Sequence, residues 1–356
     1  MTQARLERGV LQVCPNDHPP FRDLCAVYQR AVRSLGYPVQ TVFLAPPYGA
    51  PLADAIYLGQ TSLRSSRRLG KLLAARLHSP AGGYNLALCH RHRALASYLG
   101  SGLAASHTVC VAHEFGFFRR RRRRLRRRLA WRRVTFAGVS EPLLAELAAH
   151  VADPVLLPNC IDITQHAQQR LTAADACARL GLSIDAFNVG VVGRLHPKKQ
   201  PQLALAGFAA FAEAQHDACL TFVGAGELAD ELRQSAAHLP VRFAGELPDA
   251  RSYLAAFDAL LICSEDVEAF NMVSLEAMAA GVPVVAGPAP GPRFVLGPCG
   301  VYFDTPTPAA IAAALASVRD RFNRQAAAQQ ARQRVQAEFS VAAAAQRLST
   351  WLLPAV

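Results

Sequence analysis

The 356-residue chain is 51% hydrophobic and 18% charged, with a formal net charge of +12. That length and apolar content suit two domains with sizeable cores and exclude a disordered or collagen-like chain. The nine cysteines are scattered through apolar contexts with no CxxC pair, which excludes a disulfide-stapled scaffold or a zinc module and reads as reduced core thiols of a cytoplasmic protein.

No run approaches the ~20 apolar residues of a membrane-spanning helix, and the polar opening from Met1 to Gly9 carries no secretory pattern. The charge is unevenly spread. Residues 1–160 hold 23 Lys and Arg against 8 Asp and Glu, net +15, leaving net −3 for 161–356. The first half is therefore expected to meet something anionic.

Val10-Leu11-Gln12-Val13-Cys14 reads as the first strand, Phe21 to Leu35 as a helix stopped by Gly36, and Val39 to Leu44 as the second strand. In the loop from Pro15 to Asp23, ordinary turn chemistry is the default for Asp17 and His18, and substrate contact the alternative. Arg64, Arg67, Arg68, Lys71 and Arg76 interleave with Leu69, Leu72, Leu73 and Leu77 as a basic amphipathic helix. Leu86 to Cys89 is the next strand, and the cluster His90-Arg91-His92-Arg93 at its end faces either a cleft or solvent. Thr108 to Ala112 is another strand, running into His113-Glu114-Phe115-Gly116.

The oddest composition follows, from Phe117 through an arginine block at 119–133. As a helix it places Phe118, Leu125 and Leu129 in a narrow stripe expected to dock it, with arginines over the remaining surface. Arg119, Arg120, Arg123, Arg124, Arg127 and Arg128 are assigned to an anionic membrane surface or lipid-linked acceptor, at ~1 kcal/mol for each basic residue close to such a surface. A solvated face and nucleic acid are the alternatives, the latter disfavoured because no nucleic-acid motif accompanies the charge. Val134 to Ser140 is a strand whose last residue can cap a helix at Glu141-Pro142. Val155 to Asp162 closes the first half.

Asn188 to Val192 opens the second half as a buried strand followed by the basic loop Gly193-Arg194-Leu195-His196-Pro197-Lys198-Lys199-Gln200. Cys219 to Val223 is a strand ending in Gly224-Ala225-Gly226-Glu227, short of a full dinucleotide fingerprint. Val241 to Pro248 follows. Ala259-Leu260-Leu261-Ile262-Cys263 then leads into Ser264-Glu-Asp-Val-Glu268-Ala-Phe-Asn271-Met-Val-Ser-Leu-Glu276-Ala-Met-Ala-Ala-Gly281-Val-Pro283. This reads as strand, polar loop, helix and strand, with Asn271 as N-cap, Gly281 as C′ residue and Pro283 barring continuation. Glu268 stands just before a helix N-terminus and Glu276 inside that helix. The free amides and helix dipole between them favour an anionic group such as a diphosphate.

The stretch resembles the E-x7-E segment of retaining glycosyltransferases of the GT-B fold, especially glycosyltransferase family 4, and the chain is similar to bacterial lipopolysaccharide core and glycolipid glycosyltransferases. The resemblance implies that Glu268 lies beside the transferred sugar, that Glu276 binds the ribose hydroxyls of a nucleotide, and that amides of Phe270, Asn271, Met272 and Val273 meet sugar and diphosphate. It implies that Arg194 and Lys199 neutralise the donor diphosphate, that Gly224 lets backbone approach the donor, and that the segment holding Leu247 meets the nucleobase. His113 matches a histidine near the transferred sugar, with a satisfied structural histidine as the alternative. Pro158-Asn159-Cys160-Ile161-Asp162 resembles the P-N-G-[IV]-D junction between domains, with cysteine in the glycine position. Other departures are the absence of a glycine pair in the loop 15–23, Gln200 where glycine is usual, and Arg293 where glutamate is usual.

The expected architecture is α/β, the GT-B arrangement of two doubly wound Rossmann-like domains facing a central cleft. The acceptor-side domain spans 1–163 and the nucleotide-sugar domain 164–335, and a last helix at 336–356 packs back on the first domain. The expected activity is metal-independent transfer of a sugar, with retention, from a nucleotide-diphosphate-sugar donor to a glycolipid or saccharide in cell-envelope glycan synthesis, without a cofactor. Catalysis is assigned to Glu268, His113, Arg194 and Lys199, at the cytoplasmic face of the membrane. The alternatives are a catalytically degenerate polyanion-binding module and a sugar-nucleotide epimerase on the same fold.

Overall fold

The computed structural model describes residues 8–265, 267–321 and 324–353. The start of the polar opening segment, Asp266 of the acidic stretch and the last three residues of the expected C-terminal helix lie outside them. The chain divides into two compact units, Met1–Ile161 with Phe339–Val356, and Asp162–Glu338.

Unit 1 is built on β1 (Val10–Cys14), β2 (Val39–Phe43), β3 (Ala55–Tyr57), β4 (Tyr84–His90), β5 (Ala105–Ala112), β6 (Val134–Gly138) and β7 (Val155–Leu156). All pair in parallel, in the order β3-β2-β1-β4-β5-β6-β7. β1 and β4 are buried along their whole length, the pattern of strands covered on both faces. The chain lays β2 and β3 to one side of β1 and then returns to place β4 on the other. The carboxyl ends of β1 and β4 therefore splay their loops apart, leaving a crevice.

The helices of this unit are α1 (Phe21–Ser34), α2 (Ser66–Arg76), α3 (Arg91–Leu99), α4 (Arg121–Leu129) and α5 (Glu141–Ala148), joined by the chain's last helix, Val341–Leu352. That last helix packs on α1. Its buried Leu348 and Leu352 are each worth ~1.5–3 kcal/mol of apolar burial, and the Tyr37 hydroxyl donates to the Leu352 carbonyl at 2.7 Å. Ser140 caps α5, accepting from the Leu143 amide.

α4 departs from expectation. None of its residues is buried, and Leu125 and Leu129 are 57% and 69% exposed. The anchors are instead the buried Phe118 and Trp131 that flank it. Phe118 precedes the helix and packs its ring 5.2 Å from Phe136. The two aromatic anchors hold the segment at its ends, so the leucines are not needed to dock it and remain open to solvent.

Unit 2 repeats the plan with β8 (Phe187–Val192), β9 (Ala218–Val223), β10 (Val241–Gly245), β11 (Ala259–Ile262), β12 (Val284–Ala286) and β13 (Val301–Tyr302), in the parallel order β10-β9-β8-β11-β12-β13. Its helices are α6 (Ile163–Gln169), α7 (Ala173–Leu180), α8 (Pro201–Ala212), α9 (Ala229–Ser235), α10 (Met272–Ala280), α11 (Pro290–Leu296), α12 (Pro308–Arg321) and α13 (Arg324–Glu338). Phe187, Phe208, Phe211 and Phe222 fill the core, with Ile311 and Leu315 of α12 against them. The reversal of strand order falls between β8 and β11.

Candidate functional site

The loops after β8 and β11 meet at the reversal point of unit 2. They line a narrow cavity bordered by Gly193, Arg194, Lys199, Cys263, Ser264 and Asn271. His196 shapes the β8 loop: its Nδ1 accepts from the Lys198 amide at 3.2 Å, and its carbonyl accepts from the Lys199 amide at 2.8 Å. Gln200 then turns in the left-handed region at φ 47 to launch α8, a conformation that glycine adopts at no steric cost.

The Lys199 ammonium, so presented, pairs with the Glu268 carboxylate. The second bond tying the loops runs from the Glu265 amide to the Lys198 carbonyl at 3.0 Å. Glu268 is only 16% exposed at its side chain, and its Oε2 is buried with no hydrogen-bond partner among the described residues. The Gly291 amide donates to the Glu268 carbonyl at 2.9 Å, and a Cβ on Gly291 would lie 2.4 Å from that oxygen. Only glycine lets α11 come close enough to fix the glutamate's backbone.

Immediately after, Asn271 Oδ1 accepts from the Ser274 amide at 2.7 Å and caps α10, which ends at Gly281 with φ 79. Phe270 and Asn271 are buried, Met272 and Val273 half-buried. Glu276 lies one turn into α10, half-buried. The structure thus gathers Lys199, Glu268 and Asn271 at the start of α10, with Arg194 exposed on the cavity rim.

Gly224 makes a close backbone contact within unit 2. It has φ 139, and an added Cβ would meet the Gly193 carbonyl oxygen at 2.0 Å. Its close backbone approach is to the neighbouring loop of the protein itself. Leu247 follows the edge strand β10 and is half-buried, and it does not border this cavity.

His113 belongs to unit 1, just beyond β5. Its Nε2 lies 3.1 Å from Nδ1 of the fully buried His90, whose own Nε2 lies 3.3 Å from the Gln12 amide nitrogen. With Gln12 donating, His90 carries its proton on Nδ1 and donates to His113, which keeps its proton on Nδ1. Burial, and then Arg91, push His90 down to about 3. Burial first, then His90 and Arg91, hold His113 well below the ordinary imidazole range, partly offset by Asn159. His113 is therefore a neutral group offering one donor and is not an imidazolium at neutral pH.

The first loop is structural at Asp17, which is fully buried and accepts from the Tyr48 amide at 2.8 Å and the Tyr57 hydroxyl at 2.9 Å. His18 lies beside Tyr48 with ring centroids 4.4 Å apart and the planes tilted by 40°. Arg293, to which no role was assigned, donates to the Gly287 carbonyl at 3.0 Å and pairs with Asp304 at 2.6 Å. Of the arginine block, Arg119, Arg120, Arg124 and Arg128 are exposed, while Arg123 is half-buried and turned inward to the Phe117 carbonyl and His92. Arg123 thus turns toward its own unit through two hydrogen bonds, unlike its exposed neighbours. Among the described residues, no cluster of three or more His, Cys, Asp or Glu could hold a metal ion, and no helix is long and apolar enough to cross a membrane.

Residues 186–320 match the family described as glycosyl transferases group 1. The D-inositol 3-phosphate glycosyltransferase of Corynebacterium kroppenstedtii is 32% identical over 218 residues, 56% of this chain and 48% of that protein. The chain thus spans about half the length of the curated relatives it matches. A glycosyltransferase from Rickettsia africae superposes with a TM-score of 0.80 at 14% identity, covering 98% of this chain and 100% of that one. Anabaena HepE, solved in complex with UDP and glucose, superposes with a TM-score of 0.74 at 20% identity over 97% and 99%. The chain has the GT-B fold of two doubly wound α/β units and carries a match to glycosyl transferases group 1 over 186–320.

Proposed function

We propose that this protein is a retaining glycosyltransferase of family 4 type, moving a sugar from a nucleotide-diphosphate donor to a hydroxyl of a glycolipid or saccharide. The observation that carries the reading is the Lys199–Glu268 pair beside the capped start of α10, at the strand-order reversal of the domain that matches glycosyl transferases group 1. The complex of HepE with UDP and glucose supports a nucleoside-diphosphate sugar as donor.

In this reading the first-turn amides of α10 and the cations Arg194 and Lys199 receive the diphosphate as it departs, so that charge developing on the leaving oxygen meets fixed donors. Lys199 then exchanges part of its bond to Glu268 for a phosphate oxygen. That exchange frees Glu268, whose Oε2 is already buried and unpartnered, to accept from sugar hydroxyls and to favour positive charge at the anomeric carbon. Glu276, within α10, takes the ribose hydroxyls.

Reversible attachment to an anionic membrane through α4 completes the proposal. The exposed Leu125 and Leu129 supply an apolar contact amid the arginines, as an interfacial helix requires. A cytoplasmic, membrane-facing role in envelope glycan synthesis follows from that attachment.

The test is release of nucleoside diphosphate from UDP-, GDP- and ADP-sugars in the presence of membrane extract, with the product's anomeric configuration read by NMR. Donor-specific release with retained configuration supports the proposal. Absence of release from every donor, or an inverted product, overturns it.

A further inference from the structure

Unit 1 has its own cavity, at the reversal point between β1 and β4, of about 200 Å³. That is many times the roughly 10–15 Å³ needed for one water. Pro15 and Asn16 border it after β1, Arg91, His92 and Arg93 after β4, and His113 after β5. Arg123 of α4 closes one side.

The three arginines are held in place by bonds that leave other donors available. Arg91 pairs with Glu114 and lies 4.4 Å above the Phe21 ring, and its Nε is buried with no partner among the described residues. Arg93 donates to the Leu63 carbonyl. Arg123 donates to the Phe117 carbonyl at 2.8 Å and meets His92 Nε2 at 3.2 Å. Three guanidinium groups border the cavity, and Glu114, 69% exposed, is the one carboxylate among its lining residues. His92 is pushed down to about 4, by burial first and then by Arg123 and Arg93. His92 thus stays neutral and accepts from Arg123. Guanidinium forks at a partly desolvated site match the several oxygens of a phosphate.

Resting on the transferase reading, we propose that the acceptor carries a phosphate group and that Arg91, Arg93 and Arg123 bind it in this cavity. The phosphate belongs either to a soluble phosphorylated sugar or to a lipid head group, and the charge pattern is common to both. The site would select among hydroxyl-bearing acceptors by a charge that the hydroxyl itself lacks.

Calorimetric binding of glucose 6-phosphate against glucose, and flotation with phosphatidylcholine vesicles with and without phosphatidic acid, test this on the full chain. The variants are Arg93→Gln and Arg123→Gln, with Arg122→Gln, an exposed arginine of the same helix, as the charge-matched control. At least tenfold preference for a phosphorylated probe is expected, lost at least tenfold in Arg93→Gln and Arg123→Gln, while Arg122→Gln keeps glucose 6-phosphate binding and weakens vesicle binding by no more than about fivefold, the worth of one surface charge. Preference for the soluble probe identifies a free acceptor, and preference on vesicles alone a lipid one. No preference in either arm, or equal loss in all three variants, overturns the proposal. Nucleoside-diphosphate binding is measured on the same samples: if it persists while phosphate binding is absent, the cavity assignment fails and the transferase reading stands, and if it is absent from the wild type the transferase reading fails. Wild-type fluorescence of Trp131 and Trp351, both in unit 1, shows that Arg93→Gln and Arg123→Gln are folded there.

Discussion

Lys199 donates to Oε1 of Glu268 across 69 residues of sequence, while Oε2 of the same carboxylate is buried without a partner among the described residues. One oxygen is thus neutralised and the other is poised to accept. In the proposed reaction, replacing Lys199 by Ala removes a cation from the leaving group and unpairs Glu268, and transfer is expected to fall ~10²–10³-fold, as for loss of one charge-stabilising donor. Glu268→Gln keeps the shape and removes the charge; a comparable loss is expected in kcat with KM for the donor little changed. Steady-state kinetics check both, and wild-type kcat in Glu268→Gln contradicts the assigned role.

Asn271 Oδ1 caps α10 through the Ser274 amide. Asn271→Ala is expected to cost ~1 kcal/mol of unit 2 stability and to weaken nucleoside-diphosphate affinity, because the first turn that presents the amides frays. Urea unfolding followed by circular dichroism reads the first effect and calorimetry the second.

Gly224 has φ 139 and a carbonyl oxygen 2.0 Å from where a Cβ would stand, whereas Gly49 has φ 76 and nothing within 4 Å. Gly224→Ala is therefore expected to destabilise by at least ~2 kcal/mol and Gly49→Ala by ~1 kcal/mol, the backbone cost alone. Equal effects on the denaturation midpoints contradict the close approach described for Gly224.

Most of the longer strands were legible because they are short apolar runs, and α10 because Asn271 and Gly281 cap its ends; the short β3 and β13 were not read, since two or three residues carry no periodicity. The loop pairing of Lys199 with Glu268 was not, since a charge in a loop reads the same whether it faces water or a carboxylate. Nor was the unit 1 cavity: Asn16, Arg93, His113 and Arg123 converge only through the parallel crossovers that bring β1, β4 and β5 side by side. Arg123 was hidden within a block whose composition signals surface. Leu125 and Leu129 showed helical periodicity, but periodicity states which residues share a face and not whether that face is covered.

Both tryptophans, Trp131 and Trp351, belong to unit 1, so their fluorescence reports its unfolding. His90 titrates near 3 in the folded state, below the ~6.5 of a free imidazole. Between those values the unfolded chain binds the proton and the folded one does not, so stability is present in full above pH ~6.5 and is lost as pH falls toward 3. The slope from this residue is at most ~1.4 kcal/mol per pH unit. His90→Gln is expected to flatten the fluorescence-detected urea midpoint between pH 6.5 and 5, and an unchanged slope contradicts a buried neutral His90.

Leu125 and Leu129 touch no core, so Leu125→Gln with Leu129→Gln is expected to change stability by less than about 0.5 kcal/mol. At ~1 kcal/mol of apolar contact each, the double variant is expected to bind anionic vesicles roughly 30-fold more weakly. Flotation and thermal denaturation separate the two effects.

The most direct measurement is calorimetric titration with UDP, GDP and ADP of the wild type, Arg194→Ala and Glu276→Ala. A glycosyltransferase with its donor seated at α10 binds one of the three in preference, and each substitution weakens that binding by tenfold or more. No binding of any nucleoside diphosphate, or affinity unchanged in both variants, contradicts a donor site in unit 2.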